Sequence, residues 1–436
     1  MTNSSGSPRR LSRKKRLVFG LAAVLISLPV VELISWVAIV SYQDDAFLYF
    51  RSAQDALSIS GADPASNNET IHPYLGWVMN PRVNQGTELG GRRIPVNALG
   101  LNDDDSTIPR RGPDRLIVGV LGGSVAWQMT VLGEAAFRDA LRENPAWRDK
   151  QIRIVRLAMS GYKQPQQLMA LNYLLSLGAE FDVIVNIDGY NEMALGVAEN
   201  NRAHVFAAYP RMWHARMHDV VEPRTYSASY RLLEVRGTRQ ELAQGICNSW
   251  FRWSCAYNLV WKLRDAYWEH ELVELASTLH TYRAHEGRGF AAEGPLQLYA
   301  NETEMFDQLC GIWKNSSTQL HYLCQGNATK YLHVLQPNQY LPGSSTVPDL
   351  PLAERKKVFD DGQGYGLAIA KGYPLLIREG ARLRERGVDF YDMTMLFAGI
   401  DEPIYADPFC HYNQLGNEML ARAVAGKIIA AVAATD

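Results

Sequence analysis

Residues 115–129 read RLIVGVLGGSVAWQM. Leu116 to Gly123 is apolar without alternation, the mark of a strand buried on both faces, and it breaks at Gly122-Gly123-Ser124 into a helical stretch over 125–142. Four further runs repeat the pattern: IRIVRLAM at 152–159, VIVNIDG at 183–189, YLHVLQP at 331–337 and VDFYDMT at 388–394. Helical stretches near 164–178, 366–386 and 412–434 are interleaved with them. Strands alternating with amphipathic helices predict βαβ crossovers and a parallel sheet covered on both faces, a three-layer α/β domain over 115–436.

Outside these segments the pattern changes. Residues 41–114 are rich in Pro, Gly and Asn (HPYLGWVMNPRVNQG, then VNALGLN), which predicts a looped lead-in with short strands and no long helix. Between about 195 and 330 the alternation loosens into an Arg-, Trp-, Tyr- and His-rich stretch, expected to be a large insertion that forms a lid or a partner surface over the C-terminal strand ends. Leu17 to Val40, LVFGLAAVLISLPVVELISWVAIV, is 24 residues long, enough at about 1.5 Å per residue to cross a hydrocarbon core of about 30 Å. No small-x-small cleavage site follows it, so an uncleaved anchor is expected rather than a signal peptide. Pro29 and Glu32 inside the run leave room for a kink or a partner helix.

Composition agrees with a folded chain. Of 436 residues 47% are apolar and 21% charged, which excludes a mainly disordered, collagen-like or coiled-coil protein. Arg9, Arg10, Arg13, Lys14, Lys15 and Arg16 crowd a 16-residue tail ahead of Leu17, while Asp44 and Asp45 follow the run; the positive-inside bias then leaves the N-terminus in the cytoplasm and the rest outside. Taking those six from 44 cations, and Glu32 from 46 acids, leaves 38 against 45, a net of −7 for residues 41–436. A body of that sign carries no footprint for nucleic acid. In an oxidising compartment Cys247 with Cys255 and Cys310 with Cys324 are the sequence-local disulfide pairings, with Cys410 left over; metal binding is the weaker reading because no CxxC occurs.

The chemistry gathers at the strand ends. Ser124 stands at a strand-to-helix turn, where glycines let the chain turn tightly and the helix start offers N–H donors to a developing oxyanion. Asp407-Pro-Phe-Cys-His411, just before the last helix, supplies an imidazole to take the serine proton and a carboxylate to fix its tautomer. Ser160-Gly161 ends the second strand, and Gly189-Tyr190-Asn191-Glu192 ends the third; the Gly161 N–H and the Asn191 amide are donors for the same edge.

Four motifs in this order resemble the SGNH (GDSL-type) hydrolases, flavodoxin-like serine esterases and acyltransferases, over roughly 115–435. The resemblance implies Ser124 as nucleophile, His411 as general base and Asp407 as its orienting acid. The Ser124 N–H, Gly161 and Asn191 would form the oxyanion hole, and no cofactor or metal is implied. The family places the acid three residues before the histidine and here the spacing is four, so Glu192, Asp392 and Asp401 stay open as substitutes. The turn reads Gly-Gly-Ser-Val in place of Gly-Asp-Ser-Leu, which resembles membrane-anchored, envelope-facing members, as does the lead-in. Resemblance and compartment together imply a single-pass enzyme, periplasmic or extracellular, cleaving or transferring an O-acyl group, chiefly acetyl, on an envelope polysaccharide. The rivals are a lipid-directed esterase or lysophospholipase and a non-catalytic component of an envelope complex.

Other residues weigh less. His214 and His218 at i, i+4 lack a third metal ligand; Gln336-Pro337-Asn338 fits a pocket wall or a plain turn; Cys410 has only proximity to His411 to commend it as a nucleophile. Trp250, Phe251, Trp253 and Tyr257 would stack on sugar rings or pack in a core.

Overall fold

The structure is a computed structural model and describes residues 12–43, 56, 59–60, 68–82, 86–217, 223–281, 289–295, 299–344 and 364–433. In the lead-in, β1 (Glu69–His72) pairs antiparallel with β2 (Gly76–Met79), and β3 (Thr87–Leu89) with β4 (Arg92–Ile94). The five apolar runs become β5 (Arg115–Gly122), β6 (Gln151–Arg156), β7 (Val183–Asp188), β8 (Lys330–Leu335) and β9 (Asp389–Asp392). They form one sheet in the order β6-β5-β7-β8-β9 with every neighbouring pair parallel. All six residues of β7 and seven of the eight in β5 are buried, as strands covered on both faces must be. Numbered by appearance in the chain, the sheet strands run 2-1-3-4-5, so the direction of winding reverses at β5 and the ends of β5 and β7 flank the crevice where α/β sheets bind ligands.

Among the described residues the α-helices of six residues or more are α1 (Arg13–Gln43), α2 (Ser124–Leu132), α3 (Glu134–Leu141), α4 (Gln166–Ser176), α5 (Tyr190–Leu195), α6 (Pro223–Cys247), α7 (Cys255–Thr281), α8 (Glu302–Gly326), α9 (Tyr365–Glu385) and α10 (Gln414–Ala433). The stretch expected as one helix over 125–142 is two, because Gly133, poor in helix propensity, ends α2 and begins α3. Helices α2, α3 and α10 pack on one another, α8 packs on both α4 and α9, and both groups rest on the sheet. The expected insertion therefore has two parts. Its last helix, α8, is the crossover that leads into β8 and buries Trp313 fully, whereas α6 and α7 belong to a different compact unit.

That second unit holds α1, α6 and α7 with residues 56 and 59–60 of the lead-in, and the first holds the sheet, its helices and the lead-in from residue 68. α1 is long and apolar enough to span a membrane. The lead-in is fixed to the sheet by an ion cluster: Arg156 at the end of β6, 3% exposed in its side chain, reaches Asp103 at 3.2 Å, Asp104 at 2.8 Å and Glu134 at 2.8 Å. Burial pushes the Asp103 carboxyl up in pKa, and the Arg156 guanidinium and backbone N–H partly offset it.

The disulfide expectation is corrected, since all five cysteines are free thiols. Cys310 and Cys324 lie on the single helix α8, fourteen residues and about 21 Å apart along its axis, far beyond the Cα spacing of about 4.4–6.8 Å that a disulfide needs. Cys247 closes α6 and Cys255 opens α7, unjoined.

Candidate active site

β5 ends in a turn that only glycine fits. Gly122 has φ +140°, and a Cβ there would lie 2.1 Å from the Ile187 carbonyl oxygen; one on Gly123 would lie 2.3 Å from Asn191 Nδ2. The sharp turn delivers Ser124 as the first residue of α2, so its N–H has no acceptor within the helix and stays available at the positive end of the helix dipole. Asn191, on the first turn of α5 after β7, is held over Gly123 by donating one amide N–H to the Tyr162 carbonyl at 2.8 Å. The second amide N–H is thereby oriented by a fixed group.

The chain before α10 brings the imidazole. His411 Nε2 lies 2.7 Å from Ser124 Oγ, and His411 Nδ1 is hydrogen-bonded to Asp407 Oδ2. A four-residue spacing works because Asp407 closes its own turn: Oδ1 accepts the N–H groups of Phe409 at 2.9 Å, Cys410 at 3.1 Å and His411 at 3.3 Å, which leaves Oδ2 for the imidazole. Burial raises the Asp407 carboxyl, but the hydrogen bond and charge of His411 and the turn's N–H groups outweigh it, and the net shift is downward. The carboxylate is therefore the resting form.

The three substitutes are elsewhere. Glu192 is buried and accepts from the Gly189 N–H at 2.8 Å, the Gln164 N–H at 3.1 Å and Gln167 Nε2 at 3.0 Å, a helix cap rather than a partner of histidine. Burial and the nearby Asp188 push its pKa up, against the backbone N–H groups of Gly189, Glu192 and Gln164. Asp392 accepts from the N–H and hydroxyl of Thr394, and Asp401 is an exposed loop residue. Cys410 is buried with its thiol pushed well above the ordinary range by desolvation, unlike a nucleophile. Asn338, after β8, donates to the Phe409 carbonyl at 3.2 Å and Tyr412 donates to the Pro337 carbonyl at 2.6 Å, so this turn supports the His411 loop. His214 is buried, His218 lies outside the described residues, and among the described residues no group of three His, Cys, Asp or Glu could hold a metal. Trp250, Phe251, Trp253 and Tyr257 are exposed and form no core.

Ser124, Gly161, Asn191 and His411 line one cleft of about 380 Å³, together with Gln128, Ser160, Tyr190, Leu195, Arg211, Tyr365, Phe409 and Cys410. His411 also borders a second cleft of about 380 Å³, walled by Leu89 and Gly90 of the β3–β4 turn, Leu132 and Gln414. Sequence reasoning missed two parts of this site. Arg211 in the first cleft is clasped by Glu199 at 3.1 Å and 2.5 Å, and Tyr365 donates to the same carboxylate at 3.0 Å. Beneath the end of β7, Asp188 accepts from Trp313 Nε1 at 2.7 Å and Asn186 Nδ2 at 2.7 Å and pairs with His333 Nε2 at 2.8 Å, a buried network that fixes the strand end presenting Asn191. No single-sequence signal marks Arg211; the hint of the network is Asn186 and Asp188 in the apolar β7 and His333 in the apolar β8.

No protein-family model matches the chain, and a search of curated proteins finds no match. The functional reading therefore stands on the site's own geometry.

Proposed function

We propose that the chain is a membrane-anchored serine esterase or O-acyltransferase of SGNH type, acting on O-acyl, chiefly acetyl, esters of a cell-envelope polysaccharide. The observation that carries this reading is the unbroken relay from Ser124 Oγ through His411 to Asp407, with a glycine turn, a helix start and an oriented amide on the serine's side. The strand order 2-1-3-4-5, which is that of flavodoxin-like sheets, supports the family resemblance. Six cations before Leu17 support a cytoplasmic N-terminus with the catalytic unit in the periplasm or outside the cell.

In this reading Ser124 Oγ attacks the ester carbonyl as its proton passes to His411 Nε2. Asp407 holds the imidazolium, and the Ser124 N–H, the Gly161 N–H and the Asn191 amide donate to the carbonyl oxygen as it becomes an oxyanion. His411 returns the proton to the departing sugar oxygen, leaving an acyl-serine. Water, or a sugar hydroxyl seated in the second cleft beside His411, then attacks the acyl carbon as its proton passes to His411; the acyl–Oγ bond breaks and His411 returns the proton to Ser124 Oγ. A first cleft at the small end of ligand sites, with Ser160, Asn191 and Arg211 in its wall, favours a short acyl group on a polar ring over a long acyl chain.

The test is fluorophosphonate labelling of the full-length protein with the adduct mapped by mass spectrometry. An adduct on Ser124 that is lost in His411→Ala is expected. No adduct on folded protein would overturn the catalytic reading in favour of a binding component.

A further inference from the structure

α6 and α7 form an antiparallel hairpin. Arg239 pairs with Asp265 through two hydrogen bonds of 2.7 and 2.9 Å, and Arg231 reaches Glu271 at 2.9 Å, pairings centred on residues 251–252. Trp261 of α7 is buried with Ala243 and Ile246 of α6 beneath the tip. The tip itself, a 3-10 turn over Trp250–Trp253, is well tied: Ser249 Oγ accepts the Phe251 N–H at 3.1 Å, and Asn258 Nδ2 donates to the Arg252 and Ser254 carbonyls at 2.8 Å each. Its rings nevertheless point outward, with Trp250 92%, Phe251 66% and Trp253 66% exposed. Tyr257, Val260, Leu263 and Tyr267 continue the exposed stripe along α7 at spacings of three and four residues.

This tip is bound to the apolar helix. The Glu32 carboxylate, in the middle of α1, accepts hydrogen bonds from Ser254 Oγ, from the Cys255 N–H at 2.5 Å and from the Ala256 N–H at 3.4 Å, so it caps the start of α7. Glu32 lies eight residues before Val40, about 12 Å inside the end of the apolar run. A carboxylate at that depth is tolerated only when its oxygens are satisfied, and the hairpin tip satisfies them.

We infer that the α6–α7 hairpin dips into the bilayer beside α1, on the Val40 side, with Trp250, Phe251 and Trp253 in contact with lipid and Glu32 as the latch that holds the tip. The occupant of the exposed aromatic face is lipid because the tip is joined to a helix whose own Leu33, Ile34 and Val37 are exposed at the same level. Exposed indole and phenyl rings are unfavourable in water and are stabilised against acyl chains. Arg252 lies over the Trp253 ring, 4.9 Å from its centroid, so the indole face meets its charge. The inference rests on α1 spanning a membrane and is independent of any turnover at Ser124.

The experiment uses the full-length protein in nanodiscs of phosphatidylcholine brominated on its acyl chains, with tryptophan emission as the readout. Trp36→Phe removes the tryptophan of α1 itself and leaves nine of the ten, of which two are at the tip. Brominated lipid is expected to quench up to about a fifth of that emission, and Trp36→Phe/Trp250→Phe/Trp253→Phe is expected to abolish the quenching. In Trp36→Phe/Glu32→Ala, with the latch removed, the quenching falls. Iodide reaching the tip rings while brominated lipid does not would overturn the inference and make the face a water-side docking surface. Neither quencher reaching them would overturn it in favour of self-association through the patch.

Discussion

Asp407→Asn separates the two tasks that the geometry gives to one carboxylate. Oδ1 accepts three backbone N–H groups between 2.9 and 3.3 Å, and an asparagine carbonyl oxygen can accept the same three, so the turn that carries His411 is retained. The change falls on the other oxygen, where an amide N–H now faces His411 Nδ1. Nδ1 must then offer a lone pair, which places the imidazole proton on Nε2, 2.7 Å from Ser124 Oγ. That nitrogen donates where it should accept, and the serine has no base. A tautomer error of this kind costs about 10⁴ in kcat, or about 5 kcal/mol at roughly 1.4 kcal/mol per decade. KM should hardly move, because Asp407 stands behind His411 and is not in the wall of the cleft that Ser124 lines. The assay is p-nitrophenyl acetate hydrolysis by the full-length protein, with the melting temperature measured alongside and with Asp392→Asn and Asp401→Asn as controls expected within about twofold of wild type. A loss of less than about tenfold in Asp407→Asn, or an equal loss in Asp392→Asn, would refute the assignment of the acid.

Asn191→Ala removes one proposed oxyanion donor and the hydrogen bond to the Tyr162 carbonyl, so kcat should fall by about 10²–10³ with a small change in melting temperature; steady-state kinetics on the same ester check it. Arg156→Met leaves the buried Asp103 without its cation, while Glu134 keeps Arg92 and Arg138, and should cost about 3 kcal/mol, read as a lower urea midpoint; a change under about 1 kcal/mol would mean that the cluster does not hold the lead-in. Lys163, buried and donating to the Ala207 carbonyl, has its pKa lowered by desolvation to about 8, with Glu192 and Glu199 opposing the shift. Between about pH 8 and 10.4 the folded chain then binds fewer protons than the unfolded one, so stability rises with pH across that window. Wild type should gain on Lys163→Met between pH 8 and 10 in urea titrations, and parallel curves would show that the ammonium is not desolvated.

Local order determined what could be read without a structure. The five apolar runs, the glycines of 122–123 and the 24-residue apolar segment announce themselves because strand burial, turn sterics and membrane length act within a few consecutive residues. Each therefore appears in the structure within a few residues of its sequence position. The order of Ser124, Gly161, Asn191 and His411 at successive loop positions was legible for the same reason, since a parallel sheet brings all its C-terminal strand ends to one edge. Tertiary structure alone decided which acid serves His411, because Asp392, Asp401 and Asp407 are equivalent as letters and differ only in what their oxygens meet. It also decided that α8 is a crossover helix, that Arg211 enters the cleft in the grip of Glu199, and that Glu32 is bonded to a turn 222 residues away in sequence. Those pairings arise from chain closure over long distances, and the energy that selects them lies in burial and hydrogen-bond satisfaction that no window of neighbouring residues contains.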